Sequence, residues 1–329
     1  MRATAAALFA VAMTTACTAT PGMSVGSPVI EATDMAPATR EALYGVLDAY
    51  LAALAANAPS QAPWADAVFN TENNVAMRVG DGLWNTLTAL GDYDLRFADT
   101  VTGQVGFYGS LFEGTDLEAP VTVRLKVADG RITEVETLVH RADETPLPFP
   151  DAIFPTKPAM NETLAAEDRT PRLRMIALAD GYFNTLELND GDILTTFSPA
   201  CTRFENGFET TNNANQNVTA YIALGCEAQF RLGIYRYDDR VRGRRTTVVD
   251  EERGLVMVSG FIDHSGKLAS VTLTDGTEIP SPFLHPNTLH FMETFKIKAG
   301  AIEQVEANFI TVPYGMPSPW RAEELPPLP

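Results

Sequence analysis

Asp48-Ala-Tyr50-Leu51, followed by Leu54 and Asn57, returns later in the chain as Asp180-Gly-Tyr182-Phe183 with Leu186 and Asn189, at identical internal spacing. Self-similarity of this kind marks a repeat architecture, and three more blocks follow in the same order. Thr71-Glu72-Asn73 matches Phe204-Glu205-Asn206, and Asp99, Gly103 and Val105 match Asp250, Gly254 and Val256. The run 126–132, ending at Glu136, matches 296–302, ending at Glu306. Four blocks in one order make chance a poor explanation. They predict two copies of one unit, residues 36–157 and 166–320, with a linker at 158–165 and a tail at 321–329.

Periodicity fixes the coarse form of each copy. Leu43, Val46, Leu47, Tyr50, Leu51 and Leu54 fall three or four apart, as do Leu173, Ile176, Ala179, Tyr182, Phe183 and Leu186, so each copy opens with an amphipathic helix. Thr170-Pro171 supplies a cap and a first-turn proline for the second helix. Each copy closes with two β-rich stretches joined at a glycine, 121–127 with 131–139 and 289–297 with 301–312. Between them a short helix, near 83–90 or 226–235, and another strand pair are expected, and the second copy has longer insertions at 210–224 and 268–286. Helices followed by antiparallel strands predict an α+β fold of two tandem units, each an N-terminal helix packed on a curved, mostly antiparallel sheet.

Bulk composition agrees with two folded domains. The 329 residues are 45% hydrophobic and 20% charged, which is enough to bury ordinary cores. Forty-two acidic against 24 basic residues leave a net charge of −18; that balance disfavours nucleic acid and anionic membrane surfaces as partners. At the N-terminus, Met1-Arg2 precedes a short apolar run that ends in small residues before Cys17, the pattern of a signal peptide over 1–17, with a linker at 18–35. The run is too short to span a bilayer. Thr-Thr-Ala-Cys at 14–17 resembles a lipobox that would acylate Cys17, although Thr14 stands where an aliphatic residue is usual. The alternative is plain signal cleavage a few residues on. Either way an exported protein retains Cys201 and Cys226, which an oxidising compartment would let pair; two unpaired buried thiols are the other reading.

Several signatures of chemistry are absent. Gly22-Met-Ser24-Val-Gly26 matches a hydrolase elbow but lies in the expected linker, with no strand before it. No His-Glu-x-x-His or Cys-x-x-Cys occurs, and Gly80-Asp-Gly82 lacks the third glycine of a nucleotide loop. Neither a metal nor a cofactor is expected.

The order of elements, with Arg-Phe-Glu-Asn-Gly at 203–207, Val-Asp-Glu-Glu-Arg-Gly-Leu-Val at 249–256 and Pro-Tyr-Gly-Met-Pro-Ser-Pro-Trp at 313–320, resembles the nuclear transport factor 2-like superfamily, also called SnoaL-like. Within it the phrases resemble a bacterial and fungal group with two tandem copies. The resemblance runs from about residue 36 to 320. It implies cone-like units with an apolar pocket between helix and sheet, in which a carboxylate or histidine moves a proton and tyrosines or asparagines hold the developing negative charge. Cyclases, dehydratases, isomerases and plain binding proteins share this fold, so the reaction stays open.

Residues that could carry such chemistry concentrate in the second copy. Phe291, Glu293, Phe295 and Ile297 share one strand face, so Glu293 would project among apolar neighbours that raise its pKa. The first copy has Val123 at the matching place. A salt bridge to Arg253 or an edge position is the alternative for Glu293. Asp263 and His264, at a strand end, form a second candidate proton carrier, or else a solvated turn. Tyr182 could donate to an oxyanion or simply fill the core, as Tyr50 would in the first copy. Arg253, Asn308, Phe291 and Phe295 complete the expected ligand-binding set. The duplicated Glu-Asn pairs and Asp99/Asp250 read better as structural. Arg240, Arg242, Arg244 and Arg245 could receive a carboxylated ligand, but read first as a solvated basic run balancing Asp238, Asp239 and Asp250. The function expected is an exported protein with a pocket for a small apolar or aromatic molecule, acting by cofactor-independent lyase, isomerase or cyclase chemistry. A non-catalytic binding protein and a structural internal pseudo-dimer are the rivals.

Overall fold

The structure, a computed structural model, describes residues 38–114, 117–141, 157–214 and 219–320. The signal peptide, Cys17, the first linker and the C-terminal tail all lie outside the described residues. The chain opens with helix α1 (Arg40–Ala55), then strands β1 (Trp64–Glu72) and β2 (Val75–Ala76), and the single turn α2 (Leu83–Thr86). Strands β3 (Leu87–Asp99), β4 (Gln104–Glu113), β5 (Leu117–Ala128) and β6 (Arg131–Val139) follow. The second half has α3 (Pro158–Asn161), α4 (Arg172–Leu188), β7 (Phe197–Glu205), β8 (Phe208–Glu209), α5 (Cys226–Leu232), β9 (Arg240–Asp250) and β10 (Leu255–His264). A small hairpin, β11 (Ser270–Thr272) and β12 (Glu278–Pro280), precedes β13 (Asn287–Lys298) and β14 (Ala301–Val312).

Two six-stranded sheets result, ordered β2-β1-β6-β5-β4-β3 and β8-β7-β14-β13-β10-β9. Neighbours are antiparallel except β1 with β6 and β7 with β14, which are parallel. Register matches as well as order: Val123 pairs with Phe107 and Thr137, while Glu293 pairs with Val258 and Ala307.

Alternation along the strands sorts side chains into three cores. Leu43, Leu47, Tyr50 and Leu54 of α1 pack against Val105, Val123 and Val135 of the first sheet. Met175, Leu178, Tyr182 and Phe183 of α4 pack against Val258, Phe291 and Phe295 of the second. The opposite faces meet each other, with Leu95, Phe97 and Tyr108 against Val248, Met257 and Met292. The Tyr108 hydroxyl donates to the Met292 carbonyl at 2.6 Å across this seam.

The repeated residues have backbone and charge duties. Asn57 and Asn189 adopt left-handed φ of 49° and 41° where α1 and α4 end, a conformation asparagine tolerates better than most residues. Asn73 and Asn206, at φ of 50° and 48°, turn the chain after β1 and β7; their amides bond the backbone of Val139 and Phe309. Asp99 accepts from Arg172 at 2.5 Å and from the Val249 amide, and Asp250 accepts from Arg40 and the Ala98 amide. Each aspartate thus binds the first helical residue and a strand amide of the other half.

Some local expectations shift. The helix expected over 83–90 stops at Thr86, because Leu87 already pairs with Glu113 of β4. On α4 the buried stripe is rotated: Leu173 is exposed and Met175 is buried. Thr170 does not cap α4; its hydroxyl accepts from the Gly300 amide, and Pro171 takes the cap position. The stretch 158–165 carries α3, and Met160 and Leu164 in it are buried. No helix among the described residues is long and apolar enough to cross a membrane.

Candidate functional site

A cavity of about 600 Å³ opens between the second sheet, α4 and α5. Leu289, Phe291 and Glu293 of β13 line it by the period of two, with Ile262 and His264 of β10 and Ala307 and Phe309 of β14. Tyr182 comes from α4, Arg203 and Glu205 from β7, and Gln229 from α5. Tyr235, Tyr237 and Asp238 come from the segment after α5, and 279–283 comes from the hairpin insertion.

Glu293 sits at one end. It is buried, and loss of hydration pushes its pKa up to about 8, helped by the charge of Glu205; Arg203 and a hydrogen bond with Tyr182 pull the other way. The same burial raises the Tyr182 phenol well above its ordinary range. Arg203 is wholly buried beneath them, and it has five oxygen partners. Its Nε lies 3.1 Å from both Glu205 and Thr210, its Nη1 reaches the Tyr182 hydroxyl at 3.5 Å, and its Nη2 donates to Gln229 and Tyr235. Burial works against the guanidinium charge, but Tyr235, Glu205 and Tyr182 hold it firmly protonated.

Cys201 and Cys226 are joined, with their Cα atoms 5.8 Å apart. The bond fastens the first residue of α5 to β7, two residues before Arg203. It thereby holds Gln229, three residues into α5, over the guanidinium. The disulfide and Arg203 are one construction.

The other end belongs to His264. Its Nε2 lies 2.9 Å from Asp238, its Nδ1 3.2 Å from Asn287, and its ring stacks on Phe283 at 3.7 Å. Burial raises the Asp238 pKa, and the histidine partly offsets this. Register places His264 six residues along β10 from the partner of Glu293, about 20 Å of strand. The two proton carriers are therefore at opposite ends of one cavity rather than in contact.

Glu293, His264, Tyr182 and Phe291 thus share the cavity, and four other expected residues do not line it. Arg253, in the turn after β9, points into the seam between sheets and donates to the carbonyls of Arg96 and Met160 and to Asn161; it cannot pair with Glu293. Asp263 has the opposite strand parity from His264 and is held by Arg240, Arg242 and Thr288 on the other face. The same parity turns Asn308 toward the first sheet, where it donates to Thr122 at 2.8 Å. Phe295 shares the face of Glu293 but packs in the core against Tyr182, 4.9 Å between centroids.

Sequence reasoning gave no site role to Arg203 or Phe283, read Glu205 as structural, and read Asp238 as balanced by the basic run, whereas all four line the cavity. One signal was present: Cys201, Arg203 and Glu205 alternate on β7, so an inward Cys201 carries the two charged residues inward too. Nothing comparable announces Phe283, which lies in the insertion.

A family described as a domain of unknown function (DUF8021) matches residues 168–309. Every residue lining the cavity falls within that span. A search of curated proteins found no match. Among solved structures, one from Silicibacter sp., bearing the provisional name of a polyketide cyclase, is 18% identical, with 31% of this chain and 92% of that one covered at a TM-score of 0.26. A Streptomyces galilaeus protein, AclR, provisionally named a hydroxylase, is 13% identical, with coverages of 42% and 90% and a TM-score of 0.28. A de novo designed protein with a curved β-sheet is 12% identical, with coverages of 31% and 88% and a TM-score of 0.25. Overlays this loose carry no argument about the cavity.

Proposed function

We propose that this is an exported small-molecule pocket protein of the nuclear transport factor 2-like type, in which Glu293 exchanges a proton with the bound molecule without a cofactor. The observation that carries the reading is a buried carboxyl, with a pKa of about 8, on the wall of a cavity large enough for a drug-sized molecule. A group that titrates near neutral pH can give and take a proton in one turnover, as elimination, isomerisation or cyclisation requires. His264, with Asp238 behind it, is the second proton carrier, and Tyr182 orients the molecule at the Glu293 end. Tandem copies spanning 36–157 and 166–320, forming an internal pseudo-dimer of cone-like units, agree with the common strand order of the two sheets and the reciprocal Asp99 and Asp250 contacts. Export, with a lipid on Cys17 or signal cleavage beyond it, agrees with the buried disulfide.

One observation favours a non-catalytic binding protein instead. The donors that could hold an oxyanion are already occupied: the Tyr182 hydroxyl is hydrogen-bonded to Glu293, and the Arg203 guanidinium faces five oxygens. The two readings separate in heavy water. Ketones of the cavity's size, incubated with the protein, should exchange hydrogen for deuterium next to the carbonyl, as followed by proton NMR. Glu293→Gln should abolish the exchange. Exchange at the same rate in the variant would remove Glu293 from the chemistry, and no exchange by the parent protein across the panel would leave the binding reading.

A further inference from the structure

The ionisable groups facing the cavity do not pair off, and the one left over points to the kind of molecule it holds. Three carboxyl groups line it, from Glu205, Asp238 and Glu293, against one guanidinium and one imidazole. Glu205 is paired with Arg203 at 3.1 Å and Asp238 with His264 at 2.9 Å. Glu293 forms no ion pair among the described residues. An anionic molecule would find the guanidinium already engaged by five oxygens and would meet carboxyl groups at both ends. The walls between are aromatic, with Tyr182, Tyr221, Tyr235, Tyr237, Phe283 and Phe291 contributing, and aromatic faces attract cations. The chain's net charge of −18 favours the approach of cations from solution as well.

We propose that the cavity takes an organic cation: a hydrophobic amine whose ammonium group pairs with Glu293 while its apolar body lies along the aromatic walls. This rests on the cavity being a ligand site, and it is independent of whether a reaction follows. The pairing has a proton cost. Glu293 holds its proton up to about pH 8, so below that pH each cation bound must expel one proton to the buffer. The groups around Glu293 are Tyr182 from α4, Arg203 and Glu205 from β7, and Tyr108 from the first sheet beneath β13. Asp238 and His264 lie at the far end.

The test compares three probes of one shape, phenylbutylamine, phenylbutanol and phenylbutyrate, by calorimetry on the disulfide-intact protein between pH 6 and 8. The amine should bind at least about tenfold more tightly than the alcohol at pH 8. Its affinity should rise by up to about tenfold per pH unit across the range, with nearly one proton released at the acid end. The alcohol should show no such slope, and Glu293→Gln should flatten the slope for the amine. If the variant does not fold, the slope and the proton release of the parent protein decide the matter unaided. Alcohol or butyrate binding as tightly as the amine would overturn the cation while leaving a ligand site. An amine affinity independent of pH, or no binding by the amine, would overturn it also.

Discussion

Glu293→Gln should change how stability responds to pH, and this can be measured without knowing any ligand. In the unfolded chain the carboxyl has its ordinary pKa of 4.5, and in the folded protein about 8. Between those values the folded chain keeps a proton that the unfolded chain has lost, so stability falls as pH rises through the window. The contribution is fully present below pH 4.5 and is gone once pH passes about 8. At about 1.4 kcal/mol per pH unit, the gap corresponds to on the order of 4–5 kcal/mol, with a fully buried site beside Arg203 and Glu205 making this an upper figure. Gln keeps the shape and removes the titration. Urea unfolding of both proteins at half-unit steps from about pH 4.5 to 8.5, with the disulfide intact, should therefore give curves that diverge. At the acid end the variant should be equal or slightly less stable, because the amide needs partners of its own. Its relative stability should then climb by roughly 1 kcal/mol per pH unit, so that near pH 8 it exceeds the parent. Asp238, whose pKa is also raised by burial, lowers stability over the same direction of pH in both proteins and drops out of the difference. Two parallel curves would mean that Glu293 is ionised and solvated in the folded state, and the reasoning about the cavity would fail with them.

Breaking the bond between Cys201 and Cys226, by reductant or by paired serine substitution, should cost roughly 3 kcal/mol, the loop entropy for a separation of 25 residues. It should also loosen Gln229 over Arg203; an unchanged unfolding midpoint in reductant, with both thiols alkylated, would contradict this. Asp99→Asn should cost roughly 2–4 kcal/mol, below the fully buried range because the Arg172 side chain remains a quarter exposed. A loss under about 0.5 kcal/mol in urea unfolding would mean that the reciprocal pairs do not hold the halves together.

The likeness of the two sheet units was legible because the matching residues answer to the backbone. Asn57 with Asn189, and Asn73 with Asn206, sit at positive φ, where few side chains fit, so the two halves keep the same residue types at the same spacing. Asp129-Gly130 and Ala299-Gly300 likewise turn their hairpins with positive φ at both central residues. The site was less legible for the opposite reason. Its parts obey no local rule: Arg203 stands where the first half has Asn70, and Phe283 and the hairpin beside it lie in an insertion with no counterpart. Strand parity was enough to place Glu293 and Phe291 on one face, yet the same parity applied to β10 and β14 would have separated His264 from Asp263 and excluded Asn308. Arg253 escaped because its partners, Arg96 and Met160, are 157 and 93 residues away in sequence.

Those same differences explain why one half carries the cavity. Both sheets offer the same ladder position, occupied by Val123 in the first and Glu293 in the second. In the first half Tyr50 meets Trp64 and Trp84, with centroids 6.0 and 5.6 Å away, and Val123 joins their apolar cluster. In the second half Tyr182 meets Phe183, Phe230 and Phe295, while its hydroxyl turns to Arg203. A carboxyl in place of Val123 would be buried with no guanidinium beneath it, because Asn70 occupies the position of Arg203, and burying an uncompensated charge is costly. The charge of Arg203 in the floor eases the burial of Glu293, and Gln229, fastened by the disulfide, and Glu205 satisfy Arg203 in turn. The acidic site, the buried arginine and the cross-link therefore depend on one another, and a substitution at any one should be felt at the other two.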